Sequence, residues 1–135
     1  QRVIEGLDGY DNVVIASPLY FSELTGALLS MCSRFQQLYT ARRFRGMAKR
    51  PTEKNGVLIL VGGGDGTYEP AEKTAKILFG QLNANYLGMV LTANTNITSA
   101  KEDESAMRNA KEMALLLNAL YYGQDRTGGI CTADT

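Results

Sequence analysis

The sequence predicts an α/β domain built as a three-layer parallel sheet, and three observations carry that expectation. Short apolar runs at Asn12-Val13-Val14-Ile15-Ala16-Ser17, at Gly56-Val57-Leu58-Ile59-Leu60-Val61 and over residues 86–92 have the unbroken hydrophobicity of strands buried on both faces. Each run is followed by a stretch with helical periodicity. Strand and helix therefore alternate, which implies right-handed crossovers and helices on both faces of the sheet.

The elements follow in order. After the first run, Leu24, Leu28, Met31, Cys32, Phe35, Leu38 and Tyr39 recur at steps of three and four, so one helix stripe faces a core. Residues 42–55 read as a polar connection containing Pro51, its basic residues Arg42, Arg43, Arg45, Lys49, Arg50 and Lys54 forming a solvated loop. The second run leaves through Gly62-Gly63-Gly64-Asp65-Gly66, and Pro70 suits the first turn of a helix that buries Ala71, Ala75, Leu78 and Leu82. Asn83-Ala84-Asn85 breaks that helix before the third strand. Ser99 and Glu102 make a capping box, and Met107, Ala110, Met113, Ala114, Leu117 and Tyr121 mark a long amphipathic helix that Gly123 is placed to stop. The spacing thus gives one domain over residues 1–123 and a loose, Gly-rich tail over 124–135.

Composition bounds the function. The 135 residues hold 14 Lys+Arg and 14 Asp+Glu, so there is no net charge to hold a phosphate backbone, and nucleic-acid binding is not expected. No apolar run approaches the ~20 residues of a membrane span, which excludes a membrane role and predicts a cytoplasmic protein. There is no His, and the two cysteines, Cys32 and Cys131, stand far apart, so neither a metal centre nor a His-based catalytic group is expected. Chemistry must then come from a bound cofactor or from carboxylates. Met31, Met107 and Met113 are expected to pack in the core, with Cys32 buried beside them.

In an open parallel sheet, ligands bind beyond the carboxyl ends of the strands. Two turns lie there. Ser17-Pro18-Leu19-Tyr20-Phe21 forms an apolar shelf beside unpaired amides, suited to a flat heterocycle or, on residue type alone, to capping the core. Gly62-Gly63-Gly64-Asp65-Gly66 lets the main chain approach a ligand, although it is neither a Walker loop nor a G-x-G-x-x-G fingerprint. Asp65 argues against phosphate at that turn.

The run Asp11-Asn12-Val13-Val14-Ile15-Ala16-Ser17-Pro18-Leu19-Tyr20-Phe21, with Thr25-Gly26, Arg34 and the later Gly62-Gly63-Gly64 and Glu69, resembles flavodoxin-like NAD(P)H-dependent FMN reductases and the iron-sulfur flavoproteins. The resemblance implies the last three strand-helix units of a flavodoxin-like sheet of order 2-1-3-4-5, with about two further units expected upstream. It also implies FMN as cofactor, NAD(P)H as co-substrate, an unidentified electron acceptor and a homodimer or tetramer. By the same resemblance Ser17, Pro18, Leu19, Tyr20, Phe21, Thr25, Gly62, Gly63, Gly64 and Asp65 are the cofactor-binding residues. No side chain is assigned a catalytic role, because the flavin carries the redox chemistry. The alternatives are a flavodoxin-type electron carrier, usually more acidic than this chain, and a non-catalytic interaction module.

Overall fold

Three β-strands, each continuing the hydrophobic runs, lie parallel in the order β1-β2-β3 in a computed structural model that describes residues 6–46 and 51–125. A short 3-10 turn, Leu7–Gly9, enters β1 (Asn12–Pro18). Helices α1 (Gly26–Ser33) and α2 (Phe35–Arg45) lead to β2 (Lys54–Val61), α3 (Glu69–Gln81) to β3 (Ala84–Thr92), and α4 (Glu104–Asp125) follows. The register runs in step from Asn12↔Asn55 to Pro18↔Val61 between β1 and β2. Between β2 and β3 it shifts once, Gly56 facing Tyr86 and Val57 facing Gly88, and Gly88 absorbs the irregularity at φ 144°. The α/β fold and parallel sheet are as the sequence predicts.

The core lies between the sheet and helices α1 to α3. Leu58, Leu60, Ala71, Ala75 and Phe79 are completely buried, with Ile15, Leu24, Cys32, Phe35, Leu78 and Leu82 around them. All four expected inward positions of α3 are therefore covered. Met31 and Leu28 pack against this cluster from α1. Thr25 caps α1 by accepting from the Leu28 amide, 3.3 Å.

Several local expectations are corrected. The first helix breaks at Arg34 and resumes to Arg45, ending where Gly46 takes φ 59°, so Arg42, Arg43 and Arg45 sit in the last turn of α2 and not in a solvated loop. Arg42 donates from Nη1 to the Gln81 carbonyl, 2.9 Å, tying α2 to the end of α3. Lys54 belongs to β2 and is almost wholly buried, its Nζ donating to the Thr52 carbonyl at 3.0 Å. Glu102 does reach back to the Ser99 amide, 3.2 Å, but α4 itself is capped four residues after Ser99, by Asp103, which accepts from the Ala106 amide at 2.9 Å. Gly123 lies inside α4, which runs on to Asp125.

The stripe expected on α4 is covered only loosely. Ala106 is buried, whereas Met107 and Tyr121 are exposed. The opposite edge is also open: Val14 on β1 is 51% exposed. Lys49, Arg50, Cys131 and residues 126–135 of the expected tail lie outside the described residues. No helix among the described residues is long and apolar enough to cross a membrane.

Candidate functional site

Pro18 ends β1, and the chain leaves the sheet after one further ladder contact, Leu19 N donating to the Val61 carbonyl at 2.8 Å. It then folds into a tight hairpin. Tyr20 and Glu23 exchange both main-chain hydrogen bonds, each 3.1 Å, around Phe21 at φ 54° and Ser22 at φ 62°. Two positive-φ residues between a mutually bonded pair are the arrangement of a I′ turn, usually made by Asn-Gly. Here it throws two aromatic rings outward: Tyr20 is 62% exposed and Phe21 fully so. Residue type alone allowed these rings to cap the core; they do not.

The base of the hairpin is fixed from below. Ser17 is buried, accepts from the Thr25 amide at 3.1 Å and donates to the Pro18 carbonyl at 2.8 Å. The tip is fixed from the side. Ser22 offers its carbonyl to the Ala71 amide, 3.1 Å, and Glu23 accepts from the Thr74 hydroxyl, 3.0 Å, so the hairpin is anchored to the first turns of α3. That helix begins where the glycine turn ends. The anchoring therefore brings the two turns together.

Between them lies an open hollow of about 230 Å³ lined by Leu19, Phe21 and Ser22 on one side and by Gly62, Gly64, Asp65, Gly66 and Thr67 on the other. Leu19 lies so close to Gly62 that a Cβ there would come within 3.2 Å of Leu19 Cδ1. Gly66, at φ 83°, passes so near Ala93 that its own Cβ would fall 2.7 Å from the alanine methyl. Among the described residues, the amides of Phe21, Ser22, Gly64 and Gly66 find no acceptor within the chain. The hollow thus presents an apolar wall beside free N–H donors.

Its charge is negative. Asp65 Oδ1 accepts from Thr67 N at 3.1 Å and Thr67 Oγ1 at 2.9 Å, and these bonds hold its carboxyl below the usual carboxylate range. Among the described residues, no Lys or Arg lines the hollow. The volume falls short of the ~300–1,000 Å³ of sites that enclose a drug-sized ligand. The donor set, shape and charge fit the polar edge of a planar ring and do not fit a phosphate.

Of the residues expected at the site, Leu19, Phe21, Gly62, Gly64 and Asp65 line the hollow. Pro18, Tyr20 and Gly63 flank it in the chain, while Ser17 and Thr25 support the turn from beneath. The residues expected to bind the cofactor did not include Ser22, Gly66 or Thr67, although Gly66 lies in the glycine turn singled out above; for Thr67 the local signal was the Asp-x-Thr pattern of an Asx turn. Sequence reasoning also missed the turn after β3, where Asn94 and Thr95 bond to the glycine turn and the Asn96 side chain lies over Gly63.

No protein-family model and no curated sequence matches this chain. Solved structures are similar to it. A Trp repressor binding protein from Bacillus subtilis superposes with a TM-score of 0.67 at 22% identity over 81% of this chain and 71% of that one. An FMN-dependent NADH-azoreductase from Bacillus anthracis, solved in complex with FMN, gives 0.62 at 18% identity over 86% of this chain and 60% of that one. An NADPH-quinone reductase from P. pentosaceus gives 0.57 at 14% over 84% and 72%. This chain therefore spans between about three fifths and three quarters of these three neighbours. At such identities the likeness is one of fold, and the described residues form three parallel strands and flanking helices of a flavodoxin-like α/β sheet.

Proposed function

We propose that this chain supplies the ring-binding rim of an FMN-dependent NAD(P)H oxidoreductase. The observation that carries the reading is the convergence of the aromatic hairpin and the glycine turn on one hollow with unpaired amides. The FMN-dependent and NADPH-dependent neighbours of the same fold support it.

When bound, flavin accepts hydride from a nicotinamide and passes electrons to an acceptor. The chain's own part is to bind and orient. Leu19 and Phe21 offer apolar surface to the ring, and the free amides of Ser22, Gly64 and Gly66 offer donors to its polar edge. Gly62 and Gly63 let the main chain come close, with Pro18 and Tyr20 at the margin and Ser17 and Thr25 holding the turn in place. Ionised Asp65 turns the phosphate away, so the phosphate end of FMN lies outside this hollow. A homodimer or tetramer in which a second copy covers Tyr20 and Phe21 accords with the exposure of those rings.

Titrating the chain with FMN, followed by flavin fluorescence, tests binding: saturable quenching is expected, and none would defeat the reading. Anaerobic mixing of the loaded protein with NADH or NADPH then separates enzyme from carrier. Bleaching of the yellow band by a nicotinamide marks the oxidoreductase; a flavin reduced only by a protein partner marks the carrier.

A further inference from the structure

We infer that the turn after β3 is a latch whose Asn94 and Thr95 aim the glycine turn, making the Gly63 amide a ligand-facing donor. The latch is made of three hydrogen bonds. Gly62 O accepts from Thr95 N at 3.1 Å and from Thr95 Oγ1 at 3.2 Å, and Gly64 O accepts from Asn94 N at 2.8 Å. Asn94 takes φ 55°, and its own carbonyl accepts from Ile97 N and Thr98 N at 2.9 and 3.1 Å, so the latch is itself wound into a turn. Side-chain oxygen can stabilise asparagine in this left-handed region, where most residues are strained.

The consequence follows from peptide geometry. In a trans peptide the C=O of one residue and the N–H of the next point in opposite directions. With the Gly62 carbonyl held toward β3, the Gly63 N–H points away from β3. The strand order β1-β2-β3 puts the aromatic hairpin on that side. Leu19 N, bonded to Val61 O at 2.8 Å, is the last main-chain partner β1 provides there, because Tyr20 N turns to Glu23. Among the described residues nothing accepts from Gly63 N. The Gly64 carbonyl aims the Asp65 amide likewise, but that amide faces the aspartate's own carboxylate as a weak hydrogen-bond donor. Of the two amides that the latched carbonyls aim, Gly63 is the one left without an acceptor among the described residues. A dipole fixed before the ligand arrives needs no reorganisation when it binds.

This rests on the flavin reading, and Thr95 acts in it as a positioning residue that does not touch the ring. The test compares FMN affinity of the wild-type chain, Thr95→Val and Thr95→Ser, with the ¹H–¹⁵N signal of Gly63 read in the wild type. Wild-type binding that shifts the Gly63 signal, weakened about fivefold in Thr95→Val and restored to within about twofold in Thr95→Ser, is the expected result. A wild type that binds FMN while the Gly63 signal stays still, or a folded Thr95→Val that binds as tightly, overturns the latch and leaves the flavin reading standing. A wild type that binds no FMN removes both. If Thr95→Val fails to fold, exchange of the Gly63 amide in the wild type decides: slowing on FMN addition supports the latch, and unchanged exchange overturns it.

Discussion

The ring of Phe79 packs so closely against Gly56 that a Cβ on Gly56 would fall 2.5 Å from Phe79 Cδ1. The ring cannot retreat, because it is fully buried and stacked on Tyr86 with centroids 5.7 Å apart. This contact seats α3 on the sheet, and α3 in turn anchors the aromatic hairpin through Ala71 and Thr74.

Gly56→Ala should therefore destabilise the fold by about 2 kcal/mol, the range of an overpacked core. Urea unfolding followed by circular dichroism checks this. A midpoint equal to that of the wild type would mean that the ring has room to move.

Phe21 is fully exposed at positive φ, so neither burial nor backbone preference accounts for an aromatic residue there. Left-handed backbone costs most residues roughly 1–2 kcal/mol, and asparagine tolerates it better. Phe21→Asn should raise the melting temperature by about 2–4 °C while weakening FMN binding. A ring with a purely structural role would show the opposite change in melting temperature.

Glu72 accepts from Tyr86 Oη at 2.9 Å and pairs with Lys76 Nζ at 2.9 Å. The Lys76 bond first, and the Tyr86 bond second, hold the Glu72 carboxyl below its usual range. Burial first, and Glu72 second, push the Tyr86 phenol above its usual range. Glu72 thus stabilises the fold above the ordinary carboxylate range of about pH 4, and the gain is lost as pH falls through its depressed value. Tyr86 contributes below about pH 10, and that gain is lost as pH rises through its raised value. Glu72→Gln should cost less than about 1 kcal/mol near neutrality, since Lys76 is 49% exposed, and the difference from wild type should vanish in acid. Melting temperatures across pH test the first statement, and ultraviolet titration of the phenol, falling toward its ordinary value in the variant, tests the second.

Asp65 places a negative charge on the rim of the hollow, and electron uptake adds negative charge to a bound flavin. Asp65→Asn keeps an oxygen for Thr67 and removes the charge. The midpoint potential of bound FMN should move positive, and the shift should shrink as salt is raised. A potential that does not move would place Asp65 away from the ring.

Elements built on local signals were legible in the sequence. Leu58, Leu60, Ala71, Ala75 and Leu78 lie where strand and helix periodicity put them, because burial of a repeating apolar face is written into spacing. The exposed rings of Tyr20 and Phe21 were not legible in this way. Their direction depends on a turn whose positive φ values are imposed by the Tyr20–Glu23 bonds and by α3, not preferred by Phe or Ser. Lys54 misled for a related reason: a basic residue in a basic run reads as solvated, yet strand pairing carries it inside, where the Thr52 carbonyl receives its ammonium group.

By itself the sequence determined the parallel α/β architecture, the order of its elements and the two turns at the carboxyl rim, because these follow from hydrophobic period and from glycine and proline placement. Only the tertiary structure decided which atoms of those turns face one another. That outcome rests on hydrogen bonds between residues distant in sequence, such as Ser22 to Ala71 and Thr95 to Gly62, and no local pattern encodes the direction in which a peptide plane is finally held.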